Sequence, residues 1–372
     1  MGAPGLDFET GETIVHKIGI WNSRRKSLVA PTGVIITPMP TQLRWGVLST
    51  AAIGLHHVIP AMQQSSLTTI AAIASRDLAK ARQAAAQLSI PMVYGSYEEL
   101  IADPTIDAIY NPLPNHLHVP WTIKAAEAGK HVLCEKPLSM TAAEAETLIA
   151  VRARTGVKIG EAFMIECHPQ WTRLRELIQQ GRIGQLRSIA GVYSYNNTNP
   201  ADYRNHLEFG GGGLLDIGCY LIHGSRLAFG AEPIRVVGSI ERDPEMKIDR
   251  LASAILEFPT GRTIFTCGTQ MLPTQRLLMV GTKGRIDFEI PFNALPDRPA
   301  RLLIDSTGDL RGSGITVESF PACNQYTLQG DAFTRAILHD TEVPVPLEDS
   351  IKNMTVIEAV FRSANSGQWV SL

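Results

Sequence analysis

The chain has 372 residues, a formal charge of −2 and 44% hydrophobic residues, enough for two domains that each bury an interior. Its 34 lysines and arginines against 36 acidic residues leave none of the basic excess that a phosphate-backbone binder needs, so no nucleic acid partner is expected. No apolar run is long enough to span a membrane, and the five cysteines, Cys134, Cys167, Cys219, Cys267 and Cys323, are odd in number, scattered and without CxxC spacing, which argues for reduced cytoplasmic thiols and against disulfide or metal frameworks.

Residues 1–38 read as an N-terminal extension without order. Ser23-Arg24-Arg25-Lys26-Ser27-Leu28 resembles a twin-arginine export signal, but the stretch from Val29 to Pro38 is short, carries two prolines and lacks an Ala-x-Ala cleavage site. Met39 is read as the natural start, because Leu43-Arg44-Trp45-Gly46-Val47-Leu48 opens the first strand just after it; periplasmic export through Arg24-Arg25 is the weaker alternative.

From Leu43 to Ala162, short apolar strands alternate with helix-length spacers, the pattern of a parallel sheet with right-handed crossovers. The strands are expected at Trp45 to Ser49, Thr69 to Ser75, Met92 to Tyr94, Ala108 to Asn111, His131 to Glu135 and Lys158 to Ala162. Ser96-Tyr97-Glu98-Glu99 and Thr141-Ala142-Ala143-Glu144 match the capping box and predict helix starts. Beyond Pro169 comes one helix, Trp171 to Gln180, then many strands with few helices between them: a largely antiparallel sheet. Helices from Gln329 to His339 and from Leu347 to Ala364 close the chain. The fold class is therefore α/β: a doubly wound dinucleotide domain at 39–162 and an α+β domain at 163–372 with a large open sheet, the final helix packing back on the first domain. A sheet with one helical face needs a cover for the other, which predicts a homodimer.

After the first strand, Ser49-Thr50-Ala51-Ala52-Ile53-Gly54 sits where a dinucleotide fold places its glycine-rich turn, with only small residues around Ser49, Thr50 and Ala51 and with Ile53 opening the helix. At the end of the second strand, an acidic residue would bond both ribose hydroxyls of NAD. Ser75-Arg76 instead offers a hydroxyl and a guanidinium suited to a 2′-phosphate, so NADP is preferred, with NAD the alternative. At the end of the fifth strand, Cys134-Glu135-Lys136-Pro137 places a lysine at the ligand-binding edge of the sheet, and proline holds Lys136 out of helical geometry. His56-His57 lie on the first helix, where adjacent positions diverge, so metal binding is not expected.

At this point the sequence resembles the Gfo/Idh/MocA family. The resemblance is carried by Tyr110-Asn111-Pro112-Leu113-Pro114-Asn115-His116-Leu117-His118, by Ala128 to Pro137, by Glu161-Ala162-Phe163-Met164, and by Gly211-Gly212-Gly213-Leu214-Leu215-Asp216-Ile217-Gly218-Cys219-Tyr220. It implies an N-terminal Rossmann domain, a dimer built on the C-terminal sheet, and an NAD(P)-dependent dehydrogenase or reductase acting on a sugar, polyol or related diol. It places Lys136 beside the nicotinamide and the reacting carbinol, and makes Pro112, Leu113, Asn115, His118 and Glu135 cofactor contacts, with Trp121 in the core. Tyr220 matches the tyrosine of the glucose-fructose oxidoreductase and dihydrodiol dehydrogenase branch. Removing a hydride leaves a proton to be placed, and a phenol made more acidic by an ammonium can take it: Tyr220 is the expected base, Lys136 its partner, and Asp216 orients the lysine or binds a substrate hydroxyl. Phe163, Arg204 and His223, one turn past Tyr220, complete the expected substrate contacts. Two other readings stand beside this one: a sugar:sugar oxidoreductase with tightly held NADP, and a non-catalytic cofactor-binding regulator.

Overall fold

Leu43–Leu48 is apolar at nearly every position and flanked by polar residues, and it forms the central strand, β1, of a six-stranded parallel sheet. In the computed structural model the described residues are 42–372 and the two-residue strands Leu28–Val29 and Ile35–Ile36, which pair antiparallel. The chain divides into the units Met1–Met39 and Pro40–Leu372; the second is described below, and the readings of Arg24-Arg25 and Met39 lie outside the described residues.

The remaining strands of this sheet are β2 (Thr68–Ala74), β3 (Met92–Tyr94), β4 (Ala108–Asn111), β5 (His131–Cys134) and β6 (Ile159–Glu161). All neighbours are parallel, in the order β3-β2-β1-β4-β5-β6, the doubly wound order whose switch point lies between β1 and β4. Each strand ends within one or two residues of its expected bound. The two capping signals act as expected at the hydroxyl, with Ser96 Oγ accepting from Glu99 N and Thr141 Oγ1 from Glu144 N. The glutamates reach one residue further back than in the two-residue box, Glu99 to Gly95 N and Glu144 to Met140 N.

The second sheet has nine strands: β7 (Leu186–Asn196), β8 (Arg235–Arg242), β9 (Asp249–Glu257), β10 (Arg262–Gly268), β11 (Gln270–Gly281), β12 (Arg285–Phe288), β13 (Ala300–Asp305), β14 (Thr316–Phe320) and β15 (Val370–Ser371). Their order is β14-β13-β12-β11-β7-β10-β9-β8-β15, antiparallel except where β7 and β10 run parallel at the centre. One face buries Phe265, Leu277, Met279 and Val236 in a core with Trp171, Leu221 and Val360. Alternation leaves Ile264, Val280 and Val317 on the other face, 53%, 38% and 52% exposed.

Two helices return to the first layer. Phe333 of the helix Gln325–Leu338 packs at 5.7 Å on Trp45 of β1. On the helix Leu347–Ser366, Glu358 Oε1 accepts from Ala142 N at 2.9 Å, at the start of the helix Ala142–Thr155. No helix among the described residues is long and apolar enough to cross a membrane.

Candidate active site

The switch point between β1 and β4 opens into a cleft of about 560 Å3. On its first side the chain leaves β1 through Ser49, a non-glycine residue at φ +72°, whose Oγ accepts from Ala51 N at 3.2 Å and so bonds the turn to itself. Thr50 and Ala51 remain partly exposed. The helix then starts as a π-turn, Gly54–Val58, and continues as Ile59–Met62. Ile53 and His57 line the cleft. At the end of β2, Ser75 Oγ accepts from Asp77 N, and Asp77 caps the next helix through Ala79 N and Lys80 N. Arg76 is exposed beside the Tyr97 phenol and forms no ion pair among the described residues. A small-residue turn, a following helix N-terminus and a guanidinium at the neighbouring strand end fit the pyrophosphate and phosphorylated ribose of a dinucleotide.

Lys136 stands at the carboxyl end of β5, preceding Pro137 through a cis peptide. Its Nζ donates to Asp216 O at 2.6 Å and to Asp216 Oδ1 at 3.0 Å. Asp216 Oδ2 accepts from Tyr195 OH at 2.7 Å and lies 3.4 Å from Arg204 Nε. Burial opposes both charges, yet each stabilises the other: Asp216 holds the ammonium protonated above the ordinary lysine range, while Lys136 and Arg204 hold the carboxyl well below the usual carboxylate range. Behind Lys136, Glu135 Oε1 accepts from Tyr110 OH at 2.6 Å, and burial pushes the Glu135 carboxyl up. The far wall of the cleft carries Tyr193, Tyr195, Tyr203, Tyr220, Asn293 and Tyr326.

The glycine run brings Asp216 to this place. Gly212 has φ +116°, and a side chain there would collide with the Asp249 carboxylate. That carboxylate in turn accepts from Leu214 N at 2.6 Å and fixes the start of the segment Leu214–Gly218. Ahead of the run, Asn115 Nδ2 donates to Gly210 O at 2.8 Å and the His116 ring stacks on Phe209 at 4.8 Å.

Residues 43–163 match the family model described as an oxidoreductase family with an NAD-binding Rossmann fold, and residues 171–287 match the GFO/IDH/MocA C-terminal domain. The chain belongs to the Gfo/Idh/MocA family. It is an NAD(P)-binding oxidoreductase. An uncharacterized oxidoreductase of Rhizobium meliloti is 44% identical over 88% of this chain and 98% of its own. An NADP(+)-type D-xylose 1-dehydrogenase of Haloferax volcanii is 36% identical over 89% of this chain and 100% of its own. Among solved structures, KijD10, a 3-ketoreductase from Actinomadura kijaniata in complex with NADP and TDP-benzene, superposes with a TM-score of 0.81 at 29% identity, covering 87% of this chain and 98% of that one.

Within this Gfo/Idh/MocA chain, the expected residues Lys136, Asp216, Tyr220 and Arg204 meet at one cleft, together with Ile53, Pro112, Leu113, His118 and Glu135. The structure places five other expected contacts differently. Phe163 is fully buried and does not line the cleft; its ring meets Tyr220 edge-on at 5.2 Å and stacks flat on His223 at 4.3 Å. His223 therefore lies behind that wall, 3.1 Å from Glu166 Oε1 and 3.3 Å from Asp349 Oδ2, facing a second cavity. Asn115 is buried and spends its amide on Gly210 rather than on the cleft. His118 borders the cleft, but its ring nitrogens lie 2.7 Å from Pro137 O and 2.6 Å from Leu113 O, and burial lowers it to about 4; it staples two lining segments together. The lysine and phenol also meet differently from the expected pair. Lys136 Nζ lies 4.9 Å over the Tyr220 ring, while the Tyr220 hydroxyl contacts Met164 Sδ at 3.2 Å and burial raises its pKa well above the ordinary value. Sequence reasoning did not single out Tyr193 and Tyr195. The signal was there, since residues two apart on a strand share a face.

Proposed function

We propose that this chain is an NADP-dependent dehydrogenase or reductase acting on a CH–OH group of a sugar or polyol, and that it works as a cytoplasmic homodimer with its dinucleotide domain at 39–162 and its substrate and dimer domain at 163–372. The observation that carries this reading is the Lys136–Asp216 pair at the carboxyl edge of the parallel sheet, facing a wall of phenols and amides. The nicotinamide of the bound cofactor supplies the hydride acceptor or donor. Lys136, kept charged by Asp216, holds the oxygen of the reacting carbon and favours its ionised form. Arg204 neutralises the second oxygen of Asp216, and Lys136, which gives two of its three N–H donors to Asp216, keeps the third for the substrate. In the reductive direction the neutral Tyr220 phenol turns its hydroxyl away from Met164 Sδ, a weak acceptor that costs little to leave, gives its proton to the oxygen of the reacting carbon and is left as phenolate near the Lys136 ammonium; in oxidation that phenolate takes the proton back. Aromatic faces beside convergent amides suit the apolar and hydroxylated surfaces of a pyranose or polyol. Ser75 and Arg76 favour the 2′-phosphate of NADP.

The test is a panel of aldoses, including D-xylose, with polyols and diols, followed through NADP reduction, and the matching carbonyl compounds followed through NADPH oxidation. Turnover of at least one polyhydroxy compound is expected. Absence of turnover across both panels, with both cofactors, would overturn the reading.

A further inference from the structure

Tyr203 stands on the wall of the cleft, apart from the proton transfer at Tyr220. Tyr203 begins a single helical turn, Tyr203–Asn205, capped by Asp202 Oδ1, which accepts from Arg204 N at 3.0 Å. The turn is pinned from below: Asn205 is buried and donates through Nδ2 to Asn199 O at 2.8 Å. It is pinned from the side by Arg204 O, which accepts from Gly212 N at 3.0 Å. The Arg204 guanidinium lies 4.5 Å over the Tyr203 ring while its Nε faces Asp216. The ring thus lies under the cation that pairs with Asp216.

Most other phenols of the site have a partner. Tyr193 OH accepts from Asn293 Nδ2 at 2.5 Å, Tyr195 OH donates to Asp216, Tyr220 OH to Met164 and Tyr110 OH to Glu135. Among the described residues, the hydroxyls of Tyr203 and Tyr326 alone of the cleft phenols have no protein hydrogen bond. Of these, Tyr203 is the one whose ring lies under Arg204, the cation paired with Asp216. Burial raises its phenol to about 12, with the two cations pulling against that rise; it enters the cleft as a neutral donor. When substrate expels water from the cleft, a hydroxyl in that position is costly to leave unsatisfied and the substrate must satisfy it.

We infer that Tyr203 is a specificity-determining residue that binds a substrate hydroxyl neighbouring the reacting carbon, an inference that rests on the proposed polyhydroxy substrate. The experiment uses the sugar of highest kcat/KM from the panel, its monodeoxy analogues, and the variant Tyr203→Phe, which keeps the ring under Arg204. The unmodified enzyme should prefer the parent sugar over one monodeoxy analogue by about tenfold or more in kcat/KM. Tyr203→Phe should raise KM for the parent about tenfold, hold kcat within about threefold, leave NADP affinity unchanged and erase the discrimination against that one analogue. A variant with unaltered KM and unaltered discrimination at every position would overturn the inference, as would a loss of NADP affinity in place of sugar selectivity. Failure of every compound in the panel would instead remove the proposed function itself, which separates the two results.

Discussion

At the scale of single residues, side chains can be assigned tasks because their partners are known. Arg76, exposed and without an ion pair among the described residues, is available to a 2′-phosphate, so Arg76→Ala should weaken NADP about tenfold or more while leaving NAD nearly unchanged, read by fluorescence titration of both cofactors. Equal affinities in the unmodified protein would remove the premise. Lys136→Met should lower kcat on the order of a hundredfold or more with little change in NADP affinity, because it removes the charge at the reacting oxygen and leaves the buried Asp216 with only Arg204 and the Tyr195 hydroxyl. Tyr220→Phe should lower kcat similarly, and a near-normal rate would show that the proton leaves by another group. Lys136, Asp216 and Tyr220 were legible in the sequence because the motifs that hold them are short, ordered and local. Their pairing was not, since whether an ammonium meets a phenol at its hydroxyl or over its ring depends on rotamers that spacing does not encode.

At the scale of elements, the strands of the first sheet were legible because fully buried parallel strands are nearly continuous apolar runs. The helix Cys219–Phe229 was not readable in the same way. It is buried on almost every side, so no polar stripe says which flank faces substrate, and Tyr220 and His223 fall on opposite sides of Phe163. The cluster on the far side ties stability to pH instead. Burial opposes the charge of His223, but Asp349 and Glu166 raise it to about 9, whereas the unfolded chain releases this proton near 6.5. Its contribution is therefore complete below about pH 6.5 and is lost as pH rises through about 9. Glu161, raised to about 7 chiefly by burial, adds a loss in the same direction between about pH 4.5 and 7. The melting temperature should fall on the order of 5 °C from pH 6.5 to 9, and His223→Gln should flatten that slope; a slope unchanged in the variant would assign it to other groups.

At the scale of the whole molecule, the open face of the nine-stranded sheet, with Ile264, Val280 and Val317 exposed, is expected to be covered by a second copy. Light scattering should give a dimer at micromolar concentration, and Ile264→Glu should shift it to monomer by burying an unpaired charge. A monomeric unmodified protein would contradict this. The tie between Asn115 and Gly210, reinforced by His116 on Phe209, has a kinetic consequence. It joins the turn that borders the cofactor edge to the glycine run that carries Asp216, a direct contact through which a dinucleotide on one side would order the substrate side. Substrate addition should accordingly be compulsory-order, dinucleotide leading and sugar following, with product dinucleotide competitive only against its own oxidised or reduced form. Asn115→Ala should loosen that sequence toward random addition, which initial-rate and product-inhibition patterns would record.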